Sequence, residues 1–290
     1  MEALQTLIPI LIGLSLAGLV LAVGLHADRG DLLSVLRNPR ELWRAVLAVI
    51  IIPPIAAGLL VSMLPLEPVV KAGIMMMAIS PVPPLVPGKE IGMGARKSYA
   101  YGLYVAMALL TVISVPVVLA VTSALFGRSD SISVGVIAET LLLGVLLPLA
   151  VGVLIRRLAP ALAEGWWRRI YVISMALVLL AFLPVIIKAW PAIASLIGNG
   201  TLLAMAIVTM IAIAVGHLLG GPDLRDRATL AIAASVRHPG IAITIAGLSF
   251  QDRRVSAAIL LFMVVGLVVS IPYTMWVKRH LSPPTHPAHA

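Results

Sequence analysis

The stretch Ala233-Ala234-Ser235-Val236-Arg237-His238-Pro239-Gly240 decides the fold. It interrupts an apolar segment long enough to cross a bilayer, and it puts Arg, His, Pro and Gly where a membrane helix carries aliphatic residues. A second interruption, Ser80-Pro81-Val82-Pro83-Pro84-Leu85-Val86-Pro87-Gly88-Lys89-Glu90, does the same in the first half of the chain. A broken helix strands backbone N–H and C=O groups that lipid cannot satisfy, so such a break survives only against protein or a polar cavity. Paired breaks in corresponding positions of two halves point to a transporter's substrate site.

The rest of the 290 residues agrees with a membrane setting. Hydrophobic residues make up 61%, charged residues 11%, and the mean hydropathy is +1.09. A soluble domain carries about a quarter charged residues. The absence of cysteine excludes disulfides, thiolate metal sites and cysteine nucleophiles. The net charge of +9 is spread over short connections, so nucleic acid is not an expected partner. No cofactor or metal site is expected, and no feature specifies an oligomeric state.

Nine apolar segments of spanning length occur, at roughly 4–25, 42–64, 69–95, 98–126, 132–155, 166–189, 200–220, 225–250 and 253–277. The third and eighth contain the breaks. The first is expected to be a retained span rather than a cleaved signal peptide, because Glu2 replaces a basic leading region. Fourteen lysines and arginines fall in connections on one side, including Arg37, Arg96, Arg156 and Arg225, against five on the other. That bias predicts a cytoplasmic C-terminus and an external N-terminus in a bacterial inner membrane. Trp166, Trp167, Trp190 and Trp276 fall at span ends, where indoles favour the interface. Residues 1–279 are expected to form one transporter domain, followed by a disordered tail over 280–290.

Spans two to four run as a plain, a broken and a long helix, and spans seven to nine repeat that order from the opposite side. Span one pairs with span six in this scheme. The expected fold is therefore an all-α polytopic membrane protein with an inverted repeat and two crossed discontinuous helices.

The run Gly24-Leu25-His26, Asp31-Leu32 and Arg37-Asn38-Pro39, followed by a proline-containing apolar helix, resembles the opening of the bile acid:sodium symporter family. Ser80-Pro81, Leu146-Leu147-Pro148 and Arg237-His238-Pro239-Gly240-Ile241-Ala242 fall where that family has its counterparts. The resemblance implies the nine-helix form, with a core domain holding the crossed helices, a smaller panel domain, and alternating access for organic anions. It also implies side-chain oxygens that bind sodium behind the crossing. Here Val86 and Pro87 stand where Ser and Asn are expected, Tyr104 and Ala108 lie on the following helix, Ala233 takes the Glu position and Arg237 the Gln position.

The expected function is thus secondary transport of a small or amphipathic organic anion without the usual sodium sites. Sodium symport through backbone ligands and an anion channel are the alternatives. No HExxH, GxSxG or nucleotide-binding loop argues for an enzyme or an ATP-driven pump. The candidate substrate-binding or coupling residues are Pro84, Val86, Pro87, Gly88, Lys89, Glu90, Ser235, Arg237, His238, Pro239 and Gly240. Arg237 either replaces a bound cation by holding carbonyls of both breaks, or pairs with Glu90 or Glu139. Adjacent residues point about 100° apart on a helix, so Lys89 and Glu90 need different partners. Either both reach cytoplasmic water, or Lys89 anchors an anion and Glu90 carries a coupling proton. His238 either titrates or is neutral and bonded to backbone. His217 and Met75, Met76 and Met77 are read as structural.

Overall fold

Lipid offers the backbone no hydrogen-bond partners, so each apolar run closes its own bonds as helix. The computed structural model describes residues 2–125 and 134–281, and among these it contains helices and no strand. The elements are α1 Glu2–His26, α2 Arg29–Leu32, α3 Pro39–Ala45, α4 Ile52–Met63, α5 Pro68–Ile79, α6 Val86–Ile91 and α7 Lys97–Leu125. They continue with α8 Val134–Leu141, α9 Leu147–Leu158, α10 Pro160–Ser195, α11 Thr201–Leu219, α12 Leu224–Ser235, α13 Pro239–Ser249 and α14 Arg254–Leu281. Wider π-helical turns, Val46–Ile51 and Leu142–Leu146, join α3 to α4 and α8 to α9.

Each of the nine expected spans corresponds to one of these helices or to a joined pair. Span two is α3 with α4, span three α5 with α6, span five α8 with α9, and span eight α12 with α13. The differences lie at the ends. The first break is only residues 80–85, because α6 resumes at Val86. The second is only residues 236–238. Span six is the 36-residue helix α10, longer than expected at both ends. His280 and Leu281 continue α14, so the tail does not begin at 280; residues 282–290 lie outside the described residues.

Local chemistry sets several helix starts. The Asn38 side chain accepts from the backbone N–H groups of Arg40 and Glu41 at 3.2 and 3.5 Å, with Pro39 at the first helical position. Asp223 caps α12 by accepting from the Arg225 N–H at 2.9 Å. Outward faces are apolar, as lipid requires. On α7, Leu109, Ile113, Val117 and Val121 form an exposed stripe at helical spacing, while Tyr104, Ala108, Thr111 and Val115 are buried behind it.

Packing divides the molecule in two. A panel comprises α1, α8, α9 and α10, with α1 seated on both α9 and α10. Gly24 and Gly152 allow that contact: a Cβ on Gly152 would lie 2.4 Å from the Leu21 carbonyl oxygen, and one on Gly24 2.6 Å from that of Leu149. The remaining spans form the core. There α5 packs on α4, α13 and α14, while α12 packs on α11, α6 and α7. Exchanging span two for seven, three for eight and four for nine turns the first set of contacts into the second. This is the inverted repeat, expressed as packing.

The connections that carry most of the basic residues meet at one end, the basic end. Arg96 grips Asp226 in a bidentate pair at 2.9 and 2.5 Å. Asp28 accepts from Lys97 of α7 at 3.0 Å and from Arg156 of α9 at 2.9 Å. At the opposite end Arg254 pairs with Glu67 at 3.6 Å.

Candidate functional site

The two breaks meet, and prolines explain how. In an α-helix a carbonyl accepts from the N–H four residues later, or three later in a tighter turn. For Ser80 those donors would belong to Pro84 and Pro83, which have none. For Val49, in the first π turn, the residues four and five later are Pro53 and Pro54. Both carbonyls are therefore left without helix partners inside the core. The Arg237 guanidinium takes both: Nη2 donates to Val49 at 2.8 Å and Nη1 to Ser80 at 3.3 Å. The neighbouring His238 N–H donates to the Pro81 carbonyl at 3.0 Å, which ties the second break to the first.

Helices α5 and α12 both end at this point, so their negative dipole ends face the guanidinium, while the positive end of α13 starts two residues later at Pro239. Arg237 is buried at 6% exposure, and both groups it bonds are carbonyls. The expected pairing with Glu90 or Glu139 is not formed: among the described residues no carboxylate lies within ion-pair distance of Arg237, and Glu139 is exposed on α8. The reason is the proline-freed backbone, which supplies acceptors where the sequence reading sought acids.

Ser235 is buried and donates back to Ala231 at 2.9 Å, closing α12. His238 is the N-cap of α13: its Nδ1 accepts from the Ile241 N–H at 3.2 Å, so the ring is neutral on that nitrogen. Pro239 opens α13. Gly240 lies against the panel, where a Cβ would come within 2.8 Å of Leu16 Cδ1 of α1.

The remaining candidates form a separate group. Pro84 is buried in the first break, and Val86 and Pro87 are buried at the start of α6. Pro87 sits in the first turn, where proline begins a helix rather than breaking it. Gly88 is exposed beside the Tyr171 hydroxyl of α10, and Lys89 is half-buried near Lys278 of α14. Glu90 is 1% exposed, with neither carboxylate oxygen hydrogen-bonded, so the reading that puts both charged residues in water fails for Glu90. His217 bonds the Tyr273 hydroxyl through Nδ1 at 2.9 Å, and Met75, Met76 and Met77 are buried packing.

Val49, Thr111 and Ser114 were not among the expected site residues. They line a cavity of about 10 Å³ beside Arg237, together with Ser80 and Pro81. A second cavity of about 30 Å³ lies on the other side of Arg237, against Ser235, Phe262 and Gly266. Such volumes hold little more than a water molecule, whereas small-molecule sites measure about 300–1,000 Å³. Neither of these two cavities could hold an organic anion. Ala233 contributes no side-chain oxygen, the Tyr104 hydroxyl is buried on α7 without a hydrogen bond, and the guanidinium already holds the carbonyls of Ser80 and Val49.

A search of curated proteins finds no match. The model of the sodium bile acid symporter family matches residues 11–219, from the panel helix α1 through the first break to the end of α11; the second break, at 236–238, lies beyond the match, after α12. That match covers well over half of a multi-pass membrane protein whose discontinuous helices cross in its core, and the chain belongs to the sodium bile acid symporter family of membrane transporters.

Proposed function

We propose that the chain, through residue 279, is a single transporter domain moving a small or amphipathic organic anion by alternating access, with Arg237 acting as a built-in cation at the crossing. The observation that carries this reading is the double clasp of one guanidinium on the Val49 and Ser80 carbonyls. A tethered cation supplies a permanent charge where a soluble one would have to be bound and released in each cycle. The crossing therefore stays assembled and positive without sodium, and a carboxylate reaching it meets a positive field in a low-dielectric setting. With cavities this small, entry requires the panel to part from the core, at the seam where Leu16 meets Gly240. In this reading the basic end faces the cytoplasm of a bacterial cell.

The test is flux in proteoliposomes, with labelled mono- and dicarboxylates offered in sodium and in choline buffers. Uptake is expected to be equal in the two, and R237Q is expected to abolish it while leaving the protein folded. Sodium-stimulated uptake would replace this reading with symport through backbone ligands. Ion current without saturation would replace it with a channel.

A further inference from the structure

Glu90 is a buried carboxyl that the crossing does not use. Among the described residues the buried polar side-chain atoms left without a hydrogen bond are His26 Nδ1, the Tyr104 hydroxyl and both oxygens of Glu90. Helix α6 packs against α7 and α12, so the groups those elements present decide the charge that Glu90 can hold. On its own helix, Lys89 is a favourable electrostatic neighbour, but it gives the carboxylate no hydrogen bond and is itself half-buried. From α7, Tyr99 is an electrostatic neighbour of Glu90. Arg96, just before α7, is held by Asp226 of α12. Also on α12, Arg227 donates to the Gly221 carbonyl at 2.6 Å and Arg225 is exposed. Lys278 of α14 stands near Lys89, and Tyr171 of α10 lies against Gly88. None of these gives the carboxylate oxygens a hydrogen bond.

An ionised carboxylate stripped of water and hydrogen-bond donors is far costlier than the neutral acid, and among the described residues the half-buried Lys89 is the one favourable charge beside Glu90. Gly88 and Gly92 on the same helical turns are exposed at the basic end, so an outward shift of α6 would bring Glu90 toward the surface. We propose that Glu90 is a proton site linked to opening of the basic end: it is protonated while α6 is packed in place, and it releases that proton to water when α6 moves outward. Closing forms one O–H bond with a proton from the same water, so each opening and closing is balanced. The inference deepens the transport reading by naming the ion linked to one of its conformational steps.

Two readouts test it without a substrate, so their outcome is separate from that of the flux experiment. The first is infrared spectroscopy of the protein in lipid nanodiscs at neutral pH, comparing wild type with E90Q. A protonated-carboxyl stretch present in wild type and lost in E90Q is expected; its absence from wild type overturns the proposal. The second exploits the lack of native cysteine. Met93, buried at 6% exposure just after α6, is changed to cysteine and labelled with an impermeant maleimide across a pH series. Because position 93 is one turn from Glu90, thiol ionisation is measured in each background and the labelling rates are compared per thiolate. Labelling is expected to rise more steeply with pH when Glu90 is present than in E90Q, where the uncharged amide keeps α6 packed. Equal pH dependence in the two backgrounds would overturn the proposal. The unfolding temperature of E90Q, expected to match or exceed that of wild type, separates loss of the proton site from misfolding.

Discussion

At the level of single residues, Arg237 is tolerated in the core because its hydrogen bonds nearly offset the cost of burying it. Placing arginine at the centre of a membrane helix costs about 2.5–3.5 kcal/mol on insertion scales. Interhelical hydrogen bonds in membrane proteins return only about 0.6–1.7 kcal/mol each, because the unfolded chain in lipid also finds partners. The two bonds to Val49 and Ser80 therefore come close to offsetting the burial and leave little net stabilisation. R237Q is expected to change unfolding free energy by no more than about 1–2 kcal/mol, measured by steric trapping in bicelles, while flux is lost. Pro53 provides the second arm of a double-mutant cycle. P53A restores an N–H four residues after Val49, so it is expected to stabilise R237Q more than it stabilises wild type, with a coupling of about 0.5–2 kcal/mol. Additive effects would show that the guanidinium is not satisfying the proline-freed carbonyl.

At the scale of elements, the spans were legible because lipid demands about 20 apolar residues whatever their identity. The break at Arg237-His238-Pro239 was legible because no other chemistry places those residues inside such a run. The width of the first break was not, because Pro87 reads as a breaker until its place in the first turn of α6 is known. The partners of Arg237 were hidden for a different reason: carbonyls carry no residue type, and their only trace in sequence is proline three to five positions downstream. Asp28 shows how a connection joins elements. Hydrogen bonds from Arg156 and Lys97 hold its carboxyl below the usual aspartate range. Because the folded value is depressed, this contribution is complete above the ordinary value of about 3.8 and is lost as pH falls through the folded value. Asp28 is exposed, so the effect is modest and weakened by salt. D28N is expected to remove that segment of the acid-side slope when unfolding temperature is followed from pH 6 to pH 2 in detergent. An unchanged slope would mean that the pairs form without contributing to stability.

At the scale of the whole molecule, the inverted repeat gives the core two halves whose main contacts correspond, spans seven to nine repeating those of spans two to four. In the proposed alternating access, these halves would exchange roles and the panel would set which side opens. In the panel, α1 is packed on α9 through the close backbone approach at Gly24 and Gly152. On the proposed reading, movement would concentrate at the seam between panel and core, which Leu16 against Gly240 marks beside the crossing. A chain without cysteine allows a clean test. The pair L16C and G240C, joined by a short bis-methanethiosulfonate cross-linker, is expected to lose carboxylate uptake and to regain it when the link is reduced. Each single variant treated in the same way controls for the substitution, because Leu16 presents only the end of a flexible side chain to Gly240. Uptake that survives complete cross-linking would show that the anion passes with panel and core fixed together, and the cavities of about 10 and 30 Å³ beside Arg237 would then not lie on its path.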